Sequence, residues 1–394
     1  MKPIKITDGI YCLPAIDWNL RDFHGYVAHR GTTYNAYLII DEKITLIDTV
    51  KAEFGDDLID GIGQIVDPRK VDYVISNHTE MDHSGSLARV MQEVGEDKPL
   101  YCSAMGHKNL SRHFTQQWNY QPVTTGSELR LGKKSLSFLE TRMLHWPDSM
   151  VTYVKEDKIL FSSDAFGQHY TSLARFDDEV SEDIMPFARE YFANILLLYA
   201  DLVLKLVDKV KEMGLAIDMI CPDHGILWRK DPGRIINAYV EWSTQKPADK
   251  ALVIYDTMWH STQKMAEAIV VGLAEEGLLA KPMHLRSFHR SDIITEVLDA
   301  GAVVIGSPTL NNGLFPTVSA FLTYMKGLKP KNKIAAAFGS YGWSGEAAKL
   351  INQELEAMKY DLVDPGLRIQ YVPDGGGLKS CRDLGRKIGQ ALKG

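Results

Sequence analysis

Cysteine is scarce in this chain. There are four in 394 residues, Cys12, Cys102, Cys221 and Cys381, and none form a Cys-x-x-Cys pair. That scatter argues against a four-thiolate metal ribbon and a disulfide framework, and leaves reduced thiols used as small apolar residues. No Gly-x-Gly-x-x-Gly stretch occurs, which speaks against a dinucleotide site. Long apolar runs are absent too. The most apolar helical stretch, residues 192–207, is interrupted by Asp201 and Lys205, so no membrane span is expected. The start, MKPIKITDG, has no apolar segment of the secretory kind, and a cytoplasmic location is expected. A positive balance is also missing. The net charge of −7 gives no support to nucleic-acid binding. No internal repeat or low-complexity segment stands out.

What is present is an ordinary globular composition, 45% hydrophobic and 24% charged, in a chain long enough for two domains. Charge divides unevenly. From Ala251 onward lie 16 of the 44 Lys+Arg and 14 of the 51 Asp+Glu, which leaves 28 basic against 37 acidic residues before that point. The first part is therefore acidic and the last slightly basic.

Periodicity separates the same two parts. Residues 34–40 and 44–49 flank Asp41-Glu42-Lys43 and read as a hairpin. Residues 71–75, 99–103, 136–144, 150–154 and 159–162 read as strands, and Leu87, Val90, Met91 and Val94 recur at helical spacing. A long helix is expected over about 184–213 and a strand over 216–221. Strands, then helices, then a strand suggest a mixed layered α/β fold. The polar, proline-containing segment 242–250 reads as a linker, which gives domains 1–249 and 250–394. Beyond it, strands at 251–255, 282–285, 302–305, 334–338 and 367–372 alternate with helices at 264–275, 292–298, 318–325, 346–358 and 384–392. Five βα units describe a doubly wound parallel sheet.

The chemistry concentrates in residues 71–89, VDYVISNHTEMDHSGSLAR. His78, Glu80, Asp82 and His83 crowd the exit of an apolar strand, which is costly without a cation. In an extended exit His78, Glu80 and Asp82 would point one way and His83 off the row. One ion could take His78 and Glu80, and a second Asp82 and His83. Further ligand candidates sit at other strand ends: His145 before Trp146-Pro147, Asp164, and His224 in Cys-Pro-Asp-His-Gly. Alone, each would be an ordinary core or surface residue. Beside His78-Thr-Glu80-Met-Asp82-His83 they complete a set, and a carboxylate such as Asp164 can bridge two ions.

With His145, Asp164 and His224 following in order, this motif resembles the metallo-β-lactamase-type fold, an αββα sandwich. Hydrolytic members carry a second His where this chain has Glu80. Zinc hydrolases favour neutral imidazoles. Three carboxylates on two divalent ions leave a charge that one hydroxide neutralises, and such an oxygen-rich set suits iron.

The strand at 251–255 runs into Asp256-Thr257-Met258-Trp259-His260-Ser261-Thr262 and a helix. Hydroxyls and N–H groups at a helix start form an anion site. Ser307-Pro308-Thr309-Leu310-Asn311-Asn312-Gly313 follows the third strand and Gly339-Ser340-Tyr341-Gly342-Trp343-Ser344-Gly345 the fourth. These loops lie at carboxyl ends of parallel strands, where ligands bind. Trp259 or Trp343 could stack on a ring, or simply pack in the core. Together the three loops look like a flavodoxin FMN site, with phosphate at the first and the ring at the other two. His260 departs from the small residue usual in simple flavodoxins.

The two parts in this order resemble the flavodiiron proteins. The resemblance implies a non-haem diiron centre held by His78, Glu80, Asp82, His83, His145, Asp164 and His224, and one FMN. It implies an oxidoreductase that reduces O₂ to water or couples two NO into N₂O. His24 and Tyr191 are candidates to hydrogen-bond the substrate, with ordinary packing as the alternative. His107, His113 and His169 read as structural or surface residues. With no four-cysteine module and no sixth unit, an external donor such as rubredoxin is expected. The family implies a head-to-tail homodimer, or a dimer of such dimers. Competing readings are a zinc hydrolase with a regulatory flavodoxin domain, and an electron-transfer or sensor protein without turnover.

Overall fold

The computed structural model describes residues 2–394. They form two compact units: residues 2–192 with 199–240, and residues 193–198 with 241–394.

The first unit holds two sheets. One has seven strands. Ile4–Thr7, Ile10–Asp17, Thr32–Ile39 and Thr45–Ile47 pair antiparallel, and Tyr73–Ser76, Pro99–Ser103 and Asn119–Val123 continue it in parallel. The other has five: Glu128–Arg130, Ser135–Glu140, Met150–Val154, Ile159–Ser163 and, in parallel to the last, Met219–Pro222.

Alternation along Thr32–Ile39 explains the layering. Tyr37 and Ile39 enter the core shared with Phe138, Val154 and Phe161 of the second sheet. Tyr34, Ala36 and Leu38 face the opposite way, against Leu58, Leu87, Val90 and Leu110 of helices Gly55–Gly63, Leu87–Val94 and Ala104–His113. A strand buried on both faces reads as a continuous apolar run, which is why it stood out in the sequence. The four cysteines are free and buried. Among the described residues no helix is long and apolar enough to cross a membrane.

Three expectations need correction. The strand expected over 136–144 stops at Glu140. The chain then closes on itself, Thr141 N–H donating to Ser149 O and Met143 N–H to Trp146 O, so His145 sits in a loop. The helix expected over 184–213 is broken into Met185–Tyr191, a π-turn at Phe192–Leu196, a 3₁₀ turn at Leu197–Tyr199 and Ala200–Glu212. Residues 193–198 belong to the other unit, where Asn194 Oδ1 accepts from Tyr324. The expected linker is mostly ordered. Helix Pro232–Thr244 runs into it, buries Trp242 and Ser243, and ends at Gln245 with φ 48°.

The second unit is one parallel sheet. Its order is Leu279–His284, Ala248–Tyr255, Ala300–Gly306, Ile334–Tyr341, and then Asp361–Leu362 and Leu367–Gln370 one after the other along the edge of the last. Numbered along the chain this is 2-1-3-4-5, the flavodoxin-like order, whose switch point lies between the first and third strands.

Candidate metal centre and flavin site

Strand Tyr73–Ser76 delivers His78, and Glu80 still has an extended backbone (φ −62°, ψ 147°). There the alternation ends. A short helix, Met81–Ser84, carries Asp82 and His83, so Asp82 does not continue the row expected from strand spacing. The helical turn aims both at a second position.

Two groups of side chains result. His78, Glu80, His145 and Asp164 form one, and Asp82, His83 and His224 the other, each with its ligand-type atoms within 4.8 Å of one another. Asp164 faces both. Its Oδ2 lies 3.0 Å from His145 Nε2 and 3.4 Å from His78 Nε2. Its Oδ1 lies 3.0 Å from His83 Nε2 and 3.3 Å from His224 Nε2. Glu80 Oε2 closes the first group, 3.2 Å from His78 Nε2 and 3.1 Å from His145 Nε2. Asp82 Oδ2 closes the second, 3.3 Å from His83 and 3.2 Å from His224.

The centre is buried. Both Asp82 oxygens, both His83 nitrogens and Asp164 Oδ1 are buried without a hydrogen-bond partner. Such orphans are rare in folded proteins and costly. Two cations, each taking imidazole nitrogens and carboxylate oxygens, would satisfy the carboxylate oxygens and His83 Nε2. Without a cation, protons take that place. Burial pulls the His78 and His224 rings down, but the carboxylates beside them, Asp148 and Glu80 for His78 and Asp164 and Asp82 for His224, hold both well above the usual imidazole range. Burial opposes charge at His83 too, and the charges of Asp82 and Asp164 win, raising it to about 9. Burial would raise Asp164, yet the surrounding imidazoles keep it well below the ordinary carboxylate range.

The far sides of the rings are held unequally. His78 Nδ1 is 3.1 Å from Asp148 Oδ2, and His224 Nδ1–H donates to Thr33 O at 2.7 Å. Asp148 is a single acid after Trp146-Pro147, and nothing local in the sequence marks it. Asp223, wholly buried, lies 3.8 Å from His83 Nδ1 with neither oxygen hydrogen-bonded. Asp48, raised to about 6 by burial, accepts from Asn77 N–H and Nδ2, both at 2.7 Å, which fixes the residue before His78.

A small hairpin, Asp22–Phe23 with Tyr26–Val27, turns at His24-Gly25 with φ 53° and 86°, the left-handed pair that tight hairpins require. Its tip places His24 Nε2 2.8 Å from Glu80 Oε1. Tyr191 is buried with its ring 5.9 Å from His224. His169, expected to be a structural or surface residue, is a buried structural one next to the second group. It is buried 5.1 Å from the His224 ring and bonded to Tyr26 Oη (2.7 Å) and Thr32 Oγ1 (2.8 Å). Burial, with the charge of His224, holds it well below the usual imidazole range. His107 is exposed.

In the second unit a cavity of about 490 Å³ opens among the three expected loops. Its lining includes Met258, Trp259 and Ser261 from the first loop, Pro308, Thr309, Leu310, Asn311 and Asn312 from the second, and Ser340, Tyr341, Gly342 and Trp343 from the third. Ser344, Tyr371 and Val372 line it as well; the last two were expected to end the fifth strand, which stops at Gln370. Thr257, Thr262 and Ser307 do not line it. Thr262 Oγ1 bonds Ser340 Oγ at 2.8 Å, Ser307 Oγ accepts from Phe315 N–H at 3.0 Å, and Thr257 Oγ1 is buried without a partner. Trp259 and Trp343 are each 87% exposed, so neither is a core residue.

Helix Ser261–Glu275 begins at His260, which has φ 65° and gives no side-chain cap. Its ring turns away to Gln263 Oε1 at 2.9 Å. The first N–H groups of the helix therefore lack a side-chain cap, as an anion site requires. Behind the loop Asp256 is buried. It accepts from Thr257 N–H at 2.6 Å, from Arg286 Nε at 3.1 Å and from Thr317 Oγ1. Hydroxyls, a bare helix start and flanking aromatics fit a singly phosphorylated flavin.

Residues 32–225 match the ODP family beta lactamase and residues 253–385 match flavodoxin. The chain is 49% identical over 392 residues to a nitric oxide reductase of Moorella thermoacetica, covering 98% of each. It superposes on the rubredoxin oxygen:oxidoreductase of Desulfovibrio gigas with a TM-score of 0.97 at 42% identity, over 100% of this chain and 99% of that one. Against the flavodiiron protein of Giardia intestinalis the TM-score is 0.96 at 34% identity, over 100% and 97%. Both units match in this order and nearly end to end, and the chain therefore belongs to the flavodiiron protein family.

Proposed function

We propose that the protein is an oxidoreductase that reduces O₂ to water, NO to N₂O, or both, at two iron ions in the N-terminal domain (1–249), with electrons passed through FMN in the C-terminal domain (250–394). The names of its relatives support both substrates. The observation that carries the reading is Asp164, whose two oxygens divide between two imidazole–carboxylate groups. Two metal positions bridged by one carboxylate suit a diatomic substrate that must take several electrons in one place.

His78, Glu80 and His145 would hold the first ion, Asp82, His83 and His224 the second, and Asp164 both. When bound, iron supplies one-electron redox chemistry and FMN a two-electron store. Glu80 replaces the imidazole of the hydrolytic pattern. The added negative charge favours iron over zinc-type hydrolysis. Reduction of O₂ to two waters consumes four electrons and four protons, and coupling two NO to N₂O and water consumes two of each. His24, on Glu80 Oε1, and Tyr191, buried beside His224, are placed to hydrogen-bond substrate. The first loop of the flavin cavity would take the phosphate, and the loops of Asn311 and Gly342 the ring.

A rubredoxin is the proposed donor, a head-to-tail homodimer or dimer of dimers the proposed assembly, and the cytoplasm the proposed location. The test is metal and flavin analysis with anaerobic O₂ and NO consumption by the reduced protein. Iron, FMN and gas consumption support the reading; zinc with no consumption of either gas contradicts it.

A further inference from the structure

The rings at the paired metal positions are backed by unequal groups. Behind His224 stands a neutral carbonyl, Thr33 O. Behind His83 no group lies within hydrogen-bond distance. Behind His78 stands a carboxylate at 3.1 Å. That carboxylate, Asp148, is 1% exposed and fully satisfied. Its Oδ2 accepts from His78 Nδ1–H and from Thr79 N–H at 2.8 Å, and its Oδ1 from Asn109 Nδ2 at 3.1 Å. Its backbone carbonyl accepts from Ser103 Oγ at 2.7 Å. The acid is thus pinned from strand Pro99–Ser103, from helix Ala104–His113 and from the His78 segment itself.

We propose that Asp148 is a positioning residue that makes the His78 position the tighter of the two iron positions, an inference that rests on the diiron reading above. Holding the proton on Nδ1 leaves the Nε2 lone pair aimed at Glu80 and Asp164. The charge behind the ring also makes His78 a stronger donor, as carboxylate–histidine pairs do at metal sites. Asp148 sits on the same loop as His145. One short segment therefore supplies a ligand and the support of another, both at the same position.

The test is stepwise loading of the metal-depleted, FMN-containing protein with iron-57, followed by Mössbauer spectroscopy and chelator competition. The wild type should fill one position before the other. Asp148→Asn removes the charge and nearly keeps the shape, since Asn109 can turn its amide to suit. It should weaken the tighter step by about 10-fold or more, and leave the other step and the FMN content unchanged. Asn109→Ala loosens the carboxylate without removing its charge, and should weaken the same step by a smaller factor if the Asn variant does not fold. Equal filling in the wild type, equal weakening of both steps, or no change in either variant overturns the proposal. A wild type that binds no iron overturns the diiron reading instead.

Discussion

His24 and Glu80 meet at 2.8 Å, Nε2 to Oε1, across 56 residues of sequence. Glu80 keeps its other oxygen for His78 and His145. The imidazole thus touches the metal centre through the one oxygen the first group does not use. His24→Ala is expected to lower turnover about 10- to 100-fold, as loss of a ligand's hydrogen-bond partner does. Iron and FMN contents should stay at the wild-type level, which stoichiometric analysis of the purified variant checks.

Asp164 serves both groups, so its loss should not be confined to one. Asp164→Ala is expected to deplete both irons and abolish gas consumption. The flavin absorption spectrum should be retained, because the flavin cavity lies in the other unit. Loss of FMN in this variant would mean a general folding defect.

Iron binding should release protons. In the metal-free protein His83 is raised from 6.5 to about 9. A folded-state pKa above the unfolded one means stability that is full below the unfolded value and lost as pH rises through the folded one. The iron-free protein should therefore melt at progressively lower temperature as pH rises from 6.5 toward 9. Bound iron replaces those protons, so the loaded protein should lose less, and the gap between the two should widen with pH. Parallel thermal melts across that window check it.

Asp256 ties the first flavin loop to Arg286 and Thr317. Removing a buried, charged hydrogen-bond acceptor costs about 1.5–3 kcal/mol. If half of that reaches the loop, Asp256→Ala should weaken FMN binding about 3- to 10-fold while iron content stays constant. Fluorescence titration of the flavin-free protein measures the change.

Part of the fold and of the site is legible in the sequence. His78, Glu80, Asp82 and His83 lie within six residues, so their crowding shows in one line of text. The five βα units show because each strand is short, apolar and followed by a helical pattern. Asp148 and His169 were not legible. Asp148 finds His78 across 70 residues, and His169 finds Thr32 across 137. Neither partnership leaves a local signature. The break at Phe192 was also hidden, since the apolar pattern runs on through residues 193–198 while those residues serve the other unit. Tyr371, with φ 56° and mostly exposed, read as part of the fifth strand, because its apolar pattern runs past Gln370, where the strand ends.

A carboxylate-rich diiron centre fed by FMN has a definite composition and activity. Its most direct test is one experiment on the protein as purified: metal analysis, followed by anaerobic reduction and separate addition of O₂ and NO. The account predicts two irons and one FMN per chain, with consumption of at least one gas that disappears in Glu80→His while the flavin spectrum persists. Two zinc ions per chain, or a reduced flavin that consumes neither gas, would contradict it.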